Sequence, residues 1–214
     1  MPTSLINKFS KNEIAQSFSK AAQNYEKNAV LQAEIANRLI EKLDYIKLSP
    51  KVIVDAGCGT GFCTRALSKR FPKAQITGFD IAEGMVEFAQ SQTHWLRRKI
   101  YKHQYFTADM RELPIETNSV DLLFSNLSIQ WIPNIDVCFQ EWQRVLKPEG
   151  LLLFSSFGPD TLKELKQSWA MIDDDVHVNN FIDMHDLGDE LIHAGLAEPV
   201  MDMDVLTLTY NDVM

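Results

Sequence analysis

Apolar positions recur along this chain in two rhythms, long stripes with helical spacing and short runs suited to strands. Between Glu13 and Tyr25 the residues Ile14, Phe18, Ala21, Ala22 and Tyr25 follow i, i+4, i+7, i+8, i+11, the stripe of an amphipathic helix. A second stripe runs from Val30 to Leu43 through Ile35, Leu39 and Ile40, and Pro50 closes this helical preface. The rhythm then changes. Val52, Ile53 and Val54 are a β-branched run that suits a strand buried on both faces. From there strands and helices alternate. Helices are expected over Thr64–Arg70, Ile81–Gln90 and from Asn134 to Leu146, and strands over Gln75–Phe79, Tyr105–Ala108, Ser119–Asn126 and Leu151–Phe154. Lys147 to Gly150 reads as a turn, Thr161–Trp169 as a helix, and residues 173–181 as irregular. A helix from His185 to Ala194 should end at Gly195, a C′ glycine, and Val205–Thr209 carries the pattern of a sixth strand. Such alternation implies a mostly parallel α/β sheet with helices on both faces and right-handed crossovers.

Ligands of such sheets bind beyond the carboxyl ends of the strands, and the candidate chemistry sits there. Asp55 ends the first strand, and Gly57, Gly59 and Gly61 follow at every second position before the helix. Glycine spacing of this kind turns the backbone sharply and lets a ligand approach it. The free amides and the helix N-terminus favour an anion, while the carboxylate favours a cation or a hydroxyl donor. An amino-acid ligand, with both an ammonium and a carboxylate, suits the pair. Asp80 closes the second strand 19 residues past Gly61, the place where an acid takes ribose hydroxyls, with Ile81 and Met85 beside it. Asp109 and Met110 close the third strand. Asn126 ends the fourth and leads through Leu127 and Ser128 to Gln130 and Trp131. A dinucleotide loop would read G-x-G-x-x-G; here the third glycine comes one residue early and residue 62 is Phe.

Composition narrows the partners. Twenty-nine acidic against twenty-one basic residues leave a net charge of −8, a field that opposes nucleic acid. The one local basic cluster, Arg97, Arg98, Lys99, Lys102 and His103, lacks the aromatics of a recognition module and reads as a solvated face. The 214 residues suit one domain with a proper core. No apolar stretch approaches the ~18 residues of a membrane span, and residues 1–18 show no signal peptide, so a cytoplasmic location is expected. Cys58, Cys63 and Cys138 read as packing residues of a reducing compartment, not a disulfide framework. Asp173–Asp175 with His177, His185 and His193 shows no zinc or EF-hand spacing, so no metal is expected.

The run Val54-Asp55-Ala56-Gly57-Cys58-Gly59-Thr60-Gly61 resembles the donor loop of class I S-adenosylmethionine-dependent methyltransferases. The flanks resemble one family within that Rossmann-like superfamily. Phe18…Ala21-Ala22…Tyr25-Glu26…Ala29…Leu31-Gln32 is similar to the leader of the malonyl-[acyl-carrier-protein] O-methyltransferases of biotin synthesis. Ser125-Asn126-Leu127…Gln130-Trp131 is similar to their fourth-strand motif, and Trp169…Asp173…His177-Val178-Asn179…Phe181 to their insertion after the fifth strand. Asn180 departs from the arginine often found there. The resemblance implies S-adenosylmethionine as methyl donor, with S-adenosylhomocysteine as product, held by Asp55, Gly57, Gly59, Gly61, Asp80, Ile81, Met85, Asp109, Met110 and Asn126. It implies a malonyl thioester, on acyl-carrier protein or coenzyme A, as acceptor. Tyr25, Gln130, Trp131, His177 and Phe181 would stand on the acceptor side, with no nucleic acid or membrane partner and no metal. Asp109 would accept from the adenine amino group. The carboxylate is already a nucleophile, so no general base is sought.

By the same resemblance the chain divides into a helical cap (1–49), a donor-binding core (50–157), a lid insertion (158–182) and a last helix and strand (183–214). The family's fold continues past Tyr210 with a helix and an antiparallel final strand, so the C-terminal strand is expected to be missing. The sixth strand would then leave an exposed edge prone to self-association. Other readings stay open: methylation of another small carboxylic acid, a same-fold protein-arginine hydroxylase or assembly factor, and a non-catalytic donor-binding scaffold.

Overall fold

The computed structural model describes residues 10–93 and 103–209. Most of the basic cluster, Arg97 to Lys102, lies outside the described residues. The core is a five-stranded, all-parallel sheet, ordered β3-β2-β1-β4-β5, made of β1 (Val52–Ala56), β2 (Gln75–Asp80), β3 (His103–Thr107), β4 (Val120–Asn126) and β5 (Leu146–Ser155). Side chains alternate across each strand. Ile53, Ile76, Leu122 and Phe124 face α2 (Val30–Lys42) and α3 (Phe62–Arg70) on one side, with Val86 and Ala89 of α4 (Glu83–Ser91) packed beside them on Tyr105. Val54, Phe79 and Leu123 face α5 (Ile135–Val145) and α7 (Met184–His193) on the other. The stripe Ile135, Cys138, Phe139, Trp142 and Val145 is core, as its spacing indicates. The turn expected at 147–150 appears as an excursion within β5. Val120 pairs with Leu146 and Leu122 with Leu151, so four residues loop out opposite Asp121, with Glu149 at φ 66°.

The first helix, α1 (Lys11–Asn28), lies over the carboxyl edge of the sheet and not within a layer. It opens on a capping box: Ser10 Oγ accepts from the Glu13 amide at 3.3 Å and Glu13 Oε2 accepts from the Ser10 amide at 2.7 Å. Only Ala22 is fully buried, packed with Ala82 and Met85, while Phe18 and Tyr25 flank it. The helix meets α4 closely. The Gly84 amide donates to Ser19 Oγ at 3.2 Å, and a Cβ at Gly84 would lie 2.7 Å from the Ser19 carbonyl oxygen.

The C-terminal region corrects one expectation. Residues 201–209 form no strand, and among the described residues nothing pairs with the outer edge of β5. The β-branched pattern of Val205–Thr209 supplies propensity, but a strand exists only when a ladder partner takes its amides. Here the segment is held by charge, through Lys42 to Asp202 at 2.6 Å and Arg38 to Asp204 at 3.2 Å. The helix α6 (Lys163–Trp169) forms as expected and buries no residue. Among the described residues no helix is long and apolar enough to cross a membrane.

Gly84→Ala tests the seating of α1. Helix propensity favours alanine by up to ~1 kcal/mol, whereas overpacking against a backbone oxygen costs about 1–3 kcal/mol. Net destabilisation in urea titrations, with faster proteolysis within α1, is expected; a more stable variant would show that α1 does not rest on α4.

Candidate active site

The site begins with the turn after β1. Gly57, Gly59 and Gly61 have φ of 75°, 52° and 80°, conformations that side-chain-bearing residues rarely adopt. The turn they allow aims three successive amides at the end of β2. Gly57 and Cys58 both donate to the Phe79 carbonyl, at 2.8 and 2.9 Å, and Gly59 donates to Asp80 Oδ2 at 2.8 Å. Asp80 Oδ1 accepts from the Ala82 amide at 2.8 Å. Burial pushes the Asp80 carboxyl above its ordinary value, and these amides work against that. A Cβ on Gly57 would collide with Ser128 Oγ at 2.2 Å, whereas one on Gly59 would meet nothing within 4 Å. The space above Gly59 is a cavity of about 260 Å³.

Ten of the expected residues line that cavity: Tyr25, Gly57, Gly59, Asp80, Ile81, Met85, Asp109, Met110, Asn126 and Trp131. Its roof is α1, through Ile14, Phe18 and Tyr25. Phe18 stacks edge-on against Trp131 with centroids 5.5 Å apart. Burial, and then the nearby Asp80 charge, raise the Tyr25 phenol above its usual range. At the β3 end, burial alone would raise Asp109. The hydrogen bonds from Arg111 (Nη2 to Oδ2, 2.7 Å) and Lys11 (Nζ to Oδ2, 2.8 Å) outweigh it and hold the carboxyl well below the carboxylate range. Asn126 is held at both ends: its Nδ2 donates to the Gln32 carbonyl at 3.1 Å and its Oδ1 accepts from Ser155 Oγ at 2.8 Å.

Five expected residues lie elsewhere. Asp55, 1 % exposed, sits behind the loop and accepts from Thr64 Oγ1 at 2.5 Å, so it braces the start of α3 and meets no ligand space. Burial raises its carboxyl to about 7, opposed by the Thr64 hydrogen bond. Gly61 backs onto Tyr105, whose hydroxyl would be 2.6 Å from an added Cβ. The Gln130 amide folds back to the Leu127 carbonyl at 2.6 Å. His177 stacks on Trp169 at 3.9 Å and contacts Asp173 at 2.7 Å, and Phe181 packs on Phe157 at 5.3 Å. Sequence reasoning passed over Lys11, Glu26 and Arg111, which also line the cavity. Tyr25-Glu26, adjacent in the leader pattern, was the available signal for Glu26.

Residues 54–154 match the family model described as a methyltransferase domain. The chain is 48% identical over 205 residues to the malonyl-[acyl-carrier protein] O-methyltransferase of Gallionella capsiferriformans (strain ES-2), covering 95% of this chain and 71% of that one. It is 45% identical over 206 residues to the same-named protein of Methylovorus sp. (strain MP688), covering 95% and 70%. The chain belongs to the malonyl-[acyl-carrier protein] O-methyltransferase family. The fold is shared more widely. A SAM-dependent methyltransferase from Aquifex aeolicus superposes with a TM-score of 0.63 at 18% identity, covering 83% of this chain and 87% of that one. Haemonchus contortus phosphoethanolamine N-methyltransferase 2, in complex with S-adenosyl-L-methionine, gives 0.60 at 23% identity, covering 74% and 36%. For a malonyl-[acyl-carrier protein] O-methyltransferase relative the placement of α1 matters: the alignments extend well beyond the core of the fold and take in the helix that roofs the cavity.

Asp55→Asn reads out the braced carboxyl. Its folded pKa is raised from 3.8 to about 7, so the folded protein retains a proton that the unfolded chain releases. This group's contribution to stability is complete below the unfolded value and is lost as pH rises to about 7. Asparagine keeps an acceptor for Thr64 and does not titrate. The variant should therefore gain about 2–3 kcal/mol on wild type between pH 5 and pH 8 in urea titrations. Parallel curves for the two proteins would refute the assignment.

Proposed function

We propose that this protein transfers the methyl group of S-adenosylmethionine to the free carboxylate of a malonyl thioester, on acyl-carrier protein or coenzyme A, in early biotin synthesis. The observation that carries the reading is that its likeness to malonyl-[acyl-carrier protein] O-methyltransferases spans 95% of the chain, roof helix included. The unpaired cysteines Cys58, Cys63 and Cys138 suit a reducing cytoplasm.

The residues present fit such a donor. Gly59 offers a backbone surface that any side chain would obstruct. Asp80 spends one lone pair per oxygen on the Gly59 and Ala82 amides, which leaves acceptor capacity for ribose hydroxyls. Ile81, Met85 and Met110 supply apolar surface for a flat ring, and Asp109, engaged by Arg111 and Lys11, bounds the cavity at the β3 end. The donor supplies a methyl group on a positively charged sulfur. The protein supplies position and dryness. A carboxylate acceptor is ionised at neutral pH and needs no base. Tyr25, whose phenol stays protonated, serves as a hydrogen-bond donor that orients the acceptor, and Trp131 and Phe18 exclude water. Roles on the acceptor side for Gln130, His177 and Phe181 draw no support from the cavity's geometry.

Incubation with S-adenosylmethionine and malonyl-acyl-carrier protein should give the malonyl methyl ester by mass spectrometry. Donor binding without ester from either malonyl thioester would redirect the reading to another small acid. Gly59→Val should abolish the donor-induced melting shift, and Asp80→Ala should weaken donor binding by about 1–3 kcal/mol. Normal binding by Gly59→Val would show the site to be misplaced.

A further inference from the structure

Glu26 is the cavity carboxylate without a task in that reading. It lies on the last turn of α1 and lines the cavity together with Gly59 and Thr60. Its Oε1 accepts from Arg65 Nη2 at 2.6 Å, while Arg65 Nη1 donates to the Thr60 carbonyl at 2.7 Å. One guanidinium therefore spans from Glu26 to the glycine loop and fixes the carboxylate at the loop's rim. As a stabilising ion pair it counts for little, since Arg65 and Glu26 side chains remain 24% and 36% exposed. The ion pair with Arg65 engages only one of the two Glu26 oxygens.

The remaining acids are committed. Asp55 is turned away onto Thr64, Asp80 faces the ribose position, and Asp109 is held by Lys11 and Arg111. The amino-acid end of the donor nevertheless carries an ammonium as well as a carboxylate. The first turn of α3, where Phe62 and Cys63 line the cavity, suits the carboxylate. The ammonium needs an anion near the same loop, and the strand-end acid that the sequence offered for it, Asp55, is unreachable.

The geometry points to Glu26 as the residue that receives the donor's α-ammonium, which makes the roof helix part of the donor site. The inference rests on the donor reading above. A charge-assisted hydrogen bond at a cavity rim is worth about ten- to a hundredfold in affinity. The bond also gives α1 a reason to stay closed while donor is bound, since the ligand then bridges helix and loop.

Titration calorimetry with two ligands separates this role from a merely structural one. S-adenosylhomocysteine carries the ammonium; 5′-methylthioadenosine has the same nucleoside and sulfur without the amino acid. Glu26→Gln should weaken S-adenosylhomocysteine about ten- to a hundredfold and leave 5′-methylthioadenosine within about twofold of wild type. Asp80→Ala should weaken both equally, because both share the ribose. An equal loss of both ligands in Glu26→Gln would make Glu26 a latch of the roof helix and overturn the proposal, as would no loss of either. Wild-type protein that binds neither ligand would overturn the donor reading itself, and that outcome is distinct from the other two.

Discussion

The three amides that turn from β1 onto the end of β2 determine the shape of everything above them. Gly57 and Cys58 share the Phe79 carbonyl, and Gly59 reaches the Asp80 carboxylate. The two strands thereby end at one level, with the loop folded back and its far side open. The fourth strand is tied to the same turn. Ser128 Oγ donates to the Gly57 carbonyl at 3.0 Å and Ser125 Oγ to the Ala56 carbonyl at 2.7 Å. Three strand ends thus converge on one loop through bonds that mostly involve the backbone. Replacing Gly57 would break the convergence on both sides, since its Cβ would occupy the position of Ser128.

Strand order then spreads the chemistry along one edge. With β1 central, the cavity runs from the glycine loop across Asp80 to Asp109 on one side and to Asn126, Ser128 and Trp131 on the other. The roof helix crosses the whole span. It is pinned near its start by Lys11 to Asp109, in the middle by Ser19 to Gly84 and at its end by Glu26 to Arg65. Each pin is polar and none is deeply buried. Ion pairs and hydrogen bonds of this exposure contribute about 1 kcal/mol or less each, so the apolar contact of Phe18, Ala22 and Tyr25 with Ala82 and Met85 carries much of the seating of the roof.

The alternating architecture was legible because each strand is a compact apolar run and each helix an interrupted one. Gly57, Gly59 and Asp80 were legible because spacing along the chain matched spacing along the sheet edge. Asp55 lies away from the cavity for a physical reason. A strand-end acid can turn toward ligand or toward its own crossover helix, and Thr64, nine residues on, presents a buried hydroxyl that decides the matter. Gly61 lies away from the cavity likewise, because the space it leaves is filled by Tyr105 from β3, a neighbour no local pattern reveals. Lys11 and Glu26 flank the apolar stripe of α1. The stripe shows which face the helix buries, and only the tertiary placement shows which polar neighbours come down with it. The Val205–Thr209 segment shows the limit of propensity, since pairing is a property of two segments and not of one.

The carboxylates along the cavity edge also differ in how firmly they hold their charge. At the β3 end, Arg111 and Lys11 overcome the cost of burial and keep Asp109 ionised. At the β1–β2 end, burial raises both Asp55 and Asp80, with amide and hydroxyl donors as their only compensation. A cation placed over that end favours the ionised form of each. At the β3 end two cations already serve that purpose, so the two ends of the cavity differ in what a charged ligand group would meet.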